Sequence, residues 1–413
     1  MFGRIELSCW RYHRRMSDLA PIIADLSTWL MEQGIRETSV RDVIDGLGRR
    51  LRNGGIEVDR ISLGGMLLHP TYGAIELVWA HGEGVILDVK VPRTVMAGPG
   101  SRNSPFFNAS STNTPVTRYR LLGESQPYPQ LEKYRDQGYA DYLLFFRCYE
   151  RGVARWAELP PNLEGVLISL ATRRQAGFTE EEIAALTDLS LPLSLTVKAA
   201  TSDELAQTVL DTYLGSWSGR KVLDGIVTLG DGEIIECVLW FCDLRDSTPL
   251  ADRMDLDHYQ ELLNAYFDCT AGAVLDHGGE VLRFIGDAVM AVFPMDQSPA
   301  DRALAAAKQA MARRDEINAN RNGPPIRFGI ALHAGRVLYA NIGTPRRLEF
   351  SVIGPAANEV ARMEGLCKRV GIPLLCSDAF RDLCTSELVC VGTHEAAGVA
   401  GGLSVYTTPE VRG

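Results

Sequence analysis

The run Cys237 to Cys242, CVLWFC, sets the strongest constraint on how this chain folds. It lacks the polar alternation of a strand with one wet face. It reads as a central strand buried on both faces. Asp243 ends the run. Downstream, EVLRFIGDAVMAVF at residues 280–293 holds two β-prone runs joined by Gly286-Asp287. Taken alone, that pair is a common hairpin turn, because Gly tolerates positive φ and Asp bonds its own backbone. With Asp243 ending a neighbouring buried strand, the two acids become a candidate pair of metal ligands. Aspartates sharing Mg2+ or Mn2+ suit phosphoryl or nucleotidyl transfer.

Between the acids, residues 255–279 place Leu262, Leu263, Tyr266, Phe267 and Val274 on one helical face, with Gly278-Gly279 as the stop. Thr248 as N-cap and Pro249 at the first helical position predict a helix just after Asp243. Ser298, Pro299 and Asp301 mark another helix start. Strands IRFGIALHAG, RVLYANIG and FSVIG follow. The order β-α-β-β-α-β is the ferredoxin-like plan, an α+β fold in which Asp243 and Asp287 converge.

Upstream, helices are expected at about residues 17–33 and 39–53, then strands ISLGGMLL and AIELVWA. Residues 96–118, rich in Ser, Asn, Gly and Pro, read as a long loop. A helix at YPQLEKYRDQGY and strands DYLLFFRCY, GVARWAEL and GVLISLAT come next. A last helix begins at Thr179-Glu180-Glu181-Glu182 and continues, with a break near Pro192, to about Leu214. This order suggests an α+β module with an antiparallel sheet. It resembles a GAF-type sensor domain over residues 17–205. That resemblance implies a regulator, a small molecule or protein of unknown identity; a dimerisation scaffold without ligand is equally open. Residues 206–231 read as a helical connector.

A net charge of −10 and a pI near 5.3 disfavour nucleic acid as a partner. A nucleotide stays open, since bound divalent metal reverses the local field. The nine cysteines are scattered, without a CxxC pair, and are expected as free thiols. No uninterrupted apolar run approaches the ~18 residues of a membrane span. Charges interrupt the first residues, so no signal core is expected. The expectation is a cytoplasmic protein without a membrane span.

CVLWFCDLRDST, EVLRFIGDAVMAVFP, RFGIALHAGRVLYANIG and FSVIGPAANEVARMEGLC resemble, in order, the signature blocks of class III nucleotidyl cyclases. The resemblance covers about residues 232–410, which are similar to a bacterial subgroup that makes cyclic AMP. It implies conversion of ATP to cyclic AMP and pyrophosphate. Asp243, Asp287 and the backbone carbonyl of Leu244 would hold two Mg2+ or Mn2+ ions per site. Asn358 would orient the ribose and Arg362 would neutralise the α-phosphate. Arg283 and Ser351 would contact the purine, where many adenylyl cyclases carry Lys and Asp or Thr. Guanylyl cyclases place Glu and Cys there, so ATP is favoured and a guanylyl or promiscuous cyclase is the alternative.

The family's half-sites meet across a head-to-tail pair, so the resemblance also implies a homodimer with shared active sites. Two departures bear on turnover. Ala397 stands where a basic residue often precedes glycine, with Arg346 and Arg347 as possible substitutes, and Asp246 stands where glycine is common. They motivate another alternative, a catalytically silent nucleotide-binding regulator. A diguanylate cyclase is excluded, because the turn reads FIGDAV and not Gly-Gly-Asp/Glu-Glu-Phe.

Overall fold

Two sheets organise the chain, one in each of two units, Met1–Val209 and Leu210–Gly413. The computed structural model describes residues 19–66, 72–92, 102–123, 125–149, 165–395 and 402–412.

In the first unit, β1 (Arg60–Met66), β2 (Tyr72–Ala80), β3 (Gly84–Pro92), β4 (Val116–Arg120), β5 (Asp141–Cys148) and β6 (Gly165–Thr172) pair antiparallel in the order β3-β2-β1-β6-β5-β4. The helices are α1 (Ala20–Ile35), α2 (Val40–Asn53), α3 (Pro105–Ser111), α4 (Pro129–Asp136) and α5 (Glu180–Leu214). Alternation along the strands splits the core. Ile61, Leu63, Leu143, Phe145, Ile168 and Leu170 meet α1, α2 and α5 on one face. Tyr142, Leu144, Phe146 and Ala171 meet α3 and α4 on the other.

Three expectations change here. The stretch 96–118 is not one loop. Ser104 caps α3 through the Phe107 amide at 3.2 Å, with Pro105 in the first turn, so local capping overrides a loop-like composition. Strand β3 was not anticipated. Helix α5 runs unbroken through Pro192. Proline removes one backbone donor, while Leu189, Leu193 and Val197 on either side stay buried in the core. By length and composition α5 could cross a membrane, with a mean hydropathy of 1.3 over its most apolar window. The expected strand GVARWAEL lies outside the described residues.

The second unit begins with α6 (Ser216–Leu223), β7 (Gly232–Leu244), α7 (Ser247–Arg253), α8 (Leu256–Asp276), β8 (Glu280–Ile285) and β9 (Ala288–Pro294). It continues with α9 (Pro299–Asn320), β10 (Phe328–Thr344), β11 (Arg347–Ile353), α10 (Pro355–Val370) and β12 (Leu374–Ser377). The last elements are α11 (Asp378–Arg381), β13 (Val389–His394), β14 (Leu403–Thr407) and α12 (Pro409–Arg412).

Its sheet runs β13-β14-β12-β10-β7-β9-β8, and β11 pairs with β10. The inner four, β10-β7-β9-β8, are antiparallel neighbours, which is the ferredoxin-like order of fourth, first, third and second strand. β7 is central, and Cys237, Val238, Leu239, Trp240 and Cys242 are wholly buried. Helices α8 and α9 cover one face of the sheet and α10 covers the other.

Two expected strands, IRFGIALHAG and RVLYANIG, form the single strand β10. Gly335, read as a break, stays in the ladder opposite Cys237. A Cβ there would lie 2.6 Å from that of Ala356, so glycine lets α10 approach the sheet. The helix after Asp243 begins at Ser247 and not behind a Thr248 cap. Asp246 holds the N-cap place in the left-handed region, φ 59°, which glycine adopts without steric cost.

Within the segment read as a helical connector, α6 is bonded to the second unit's sheet. The Glu280 carboxylate accepts from the Trp217 amide and the Ser216 hydroxyl, each at 2.9 Å. The Trp217 ring stacks on Tyr339 with centroids 4.6 Å apart.

Candidate active site

Asp243 sits near the C-terminal end of β7, between Gly329 of β10 and Ala288 of β9. Asp287 precedes Ala288 in the two-residue turn that joins β8 to β9. Gly286 takes φ 63°, as the first position of a II′ hairpin turn requires. The ladder therefore brings the two carboxylates together from positions far apart in the chain. Both are half-buried.

The pair's electrostatics are those of two like charges held close together in a half-buried place. Burial, then the negative charge of Asp287 and a hydrogen bond with it, push the Asp243 carboxyl up to about 6. Arg245 and the Leu244 amide oppose the rise. The donor set is oxygen only, two carboxylates and the backbone at Leu244, which fits a hard ion such as Mg2+ or Mn2+. Among the described residues no cluster of three or more His, Cys, Asp or Glu could hold a metal, so substrate oxygens and water would complete the shell. Among the described residues eight cysteines are free, and those at 237, 242, 269, 367 and 376 are buried.

These shifts set a pH dependence. Folded Asp243 titrates near 6 against 3.8 normally, and burial of Glu364 pushes that carboxyl up to about 7. Between the unfolded and folded values the native chain holds more protons, so its stability falls as pH rises through that window. Thermal melts without divalent ion should give a lower Tm at pH 7.5 than at pH 5. Mn2+ should reverse the loss at pH 7.5, and Asp243→Asn should shrink the pH effect. A metal-free Tm that rises with pH over this range would contradict the assignment.

On α10, Gly354 precedes Pro355, which opens the helix as expected. Val360, Met363, Leu366 and Cys367 face the core. Asn358 and Arg362, four apart, share the exposed face. Among the described residues, neither side chain makes a hydrogen bond or ion pair, and the cation acting on Asp243 is Arg245. One chain thus brings together Asp243 and Asp287, and leaves Asn358 and Arg362 presented outward.

Arg283 on β8 and Ser351 on β11 do meet. The guanidinium donates to the Ser351 hydroxyl at 3.3 Å, and its Nε lies 3.1 Å from Glu349. Glu349 was missed by sequence reasoning, because only the approach of β11 to β8 reveals it. Arg346, in the β10–β11 turn, and Arg347, which opens β11, are exposed. Ala397 lies outside the described residues.

Residues 232–395 match the family model described as the adenylate and guanylate cyclase catalytic domain. The second unit carries a catalytic domain of that family. An adenylate cyclase of Anabaena cylindrica is 32% identical over 37% of this chain and 32% of its own length. Adenylate cyclase 2 of Rhizobium meliloti is 33% identical over 42% of this chain and 49% of its own length. The chain thus spans a third to a half of these relatives. A solved bacterial light-regulated adenylyl cyclase is 18% identical with a TM-score of 0.46, over 60% of this chain and 83% of that one.

Proposed function

We propose that this chain is an adenylyl cyclase, forming cyclic AMP and pyrophosphate from ATP. The observation that carries the reading is the convergence of Asp243 and Asp287 at the C-terminal end of the central strand β7. Asp243, Asp287 and the Leu244 carbonyl would hold two Mg2+ or Mn2+ ions. Bound there, divalent ions lower the pKa of the ribose 3′-hydroxyl and neutralise the triphosphate.

The protein's own residues supply position and charge. Asn358 orients the ribose, so that the 3′-oxygen stands in line with the α-phosphorus. Arg362 offers a fixed fork of donors to the α-phosphate oxygens as negative charge develops there. Both would come from a second copy of the chain, since among the described residues their exposed side chains make no hydrogen bond or ion pair within their own, and the working form is then a homodimer with shared sites.

At the base, Ser351 accepts from Arg283 and keeps its own proton to donate. That donor suits adenine N1 or guanine O6. The Glu and Cys of guanylyl cyclases are absent, and the relatives named above are adenylate cyclases. ATP is therefore the substrate of choice, and the engagement of Arg283 by Glu349 is what favours a promiscuous enzyme as the second reading. The first unit is proposed as a GAF-like sensor or dimerisation module that regulates turnover.

The test is turnover by the full chain with ATP or GTP and Mn2+. One well-made purine contact discriminates by about 1–3 kcal/mol, so ATP should win by roughly five- to 150-fold in kcat/KM. Equal or better use of GTP would replace the adenylyl reading with the guanylyl or promiscuous one.

A further inference from the structure

Two residues past Asp243, Arg245 turns its guanidinium toward α10. Its Nη2 lies 2.7 Å from Oε1 of Glu364, with 16% and 7% of the two side chains exposed. The atoms are in ion-pair contact without hydrogen-bond alignment. The pair passes over Gly329, the residue opposite Asp243 in the ladder. A Cβ on Gly329 would stand 2.0 Å from the Arg245 nitrogen and 2.7 Å from the Glu364 oxygen. The space beside the metal-binding strand is thus kept clear for a charge pair.

Such burial needs a reason. Removing two charges from water commonly costs as much as their attraction returns, and apolar residues of similar size often serve stability as well. Here each partner touches the machinery. Arg245 is the positive charge acting on Asp243. Glu364 lies on the buried side of α10, the helix that carries Asn358 and Arg362 on its exposed side. We propose that Arg245 and Glu364 are positioning residues for the cyclase reaction, balancing the charge beside Asp243 and fixing α10 to the metal-binding end of β7. This rests on the cyclase reading. In a homodimer with shared sites, the same contact links the two sites through each chain.

The charges predict an asymmetry that simple packing does not. At about pH 8.5, where the Glu364 carboxyl is ionised, Glu364→Gln leaves the Arg245 charge unbalanced near a divalent ion and should weaken Mn2+ binding about tenfold. The double variant Arg245→Met/Glu364→Met removes both charges, leaves no buried ion unpaired, and should bind Mn2+ within about threefold of the parent. Mn2+ alone is titrated into each full-length protein and free ion is counted by electron paramagnetic resonance, with Asp287→Asn as the control for binding at this site. At saturating Mn2+ and ATP, both variants should lose kcat more than they change the KM for ATP, because α10 is no longer held.

Unchanged Mn2+ affinity in a folded Glu364→Gln protein would overturn the charge-balancing role. If that variant does not fold, parental kcat in the double variant would overturn the positioning role. Failure of the cyclase reading is separate: the parent would then make no cyclic nucleotide while the Mn2+ pattern persisted.

Discussion

Asp287→Ala should abolish cyclic nucleotide formation without unfolding the chain. The residue sits in a two-residue turn, where its side chain fills no core space. Gly286, which sets the turn through its positive φ, is untouched. Losing even an outer-shell partner of a metal site typically costs about 10–100-fold, so loss of a direct ligand should cost more than about a hundredfold. The variant should melt no lower than the parent in metal-free buffer at neutral pH, because the like charge that destabilises ionised Asp243 has gone. Turnover measured beside a melting curve therefore separates a chemical role from a structural one. If parent and variant form product at the same background level, the silent nucleotide-binding regulator becomes the better account.

The parts of this site that were legible in sequence are those fixed by short-range pattern. CVLWFC reads as a strand buried on both faces, and it delivers Asp243 to that strand's end. Gly286-Asp287 between β-prone runs reads as a tight turn. The spacing of Asn358 and Arg362 puts them on one helical face whatever the helix packs against. What stayed hidden depends on long-range contact. Gly335 looks like a strand end until α10 is placed against it. Arg245 reads as an ordinary loop cation until Glu364 comes beside it, and Glu349 becomes relevant only when β11 reaches β8. Helix α3 was obscured differently, because its Ser- and Asn-rich composition outweighed a readable Ser104-Pro105 start.

Mixing two inactive proteins should restore activity. Arg362→Ala alone should lose about 10²–10³-fold in kcat, the usual cost of removing a donor aimed at developing transition-state charge. Asp287→Ala is defective in the other half-site. If each site takes its aspartates from one chain and its Asn and Arg from the other, an Asp287→Ala/Arg362→Ala heterodimer has one wholly intact site and one doubly damaged site. Random pairing of equal amounts makes about half the dimers mixed, each with one of two sites working, so about a quarter of parental activity should return. The exposed, unengaged Asn358 and Arg362 are what make this expectation specific. A site completed within one chain would need α10 to bring Arg362 to its own Asp243, yet the buried side of that helix is fixed in the core through Val360, Met363 and Leu366. Co-expression followed by purification through two different tags isolates the mixed dimer. Activity there no greater than the sum of the two single variants would show that each chain completes its own site, and would remove the need for a second copy.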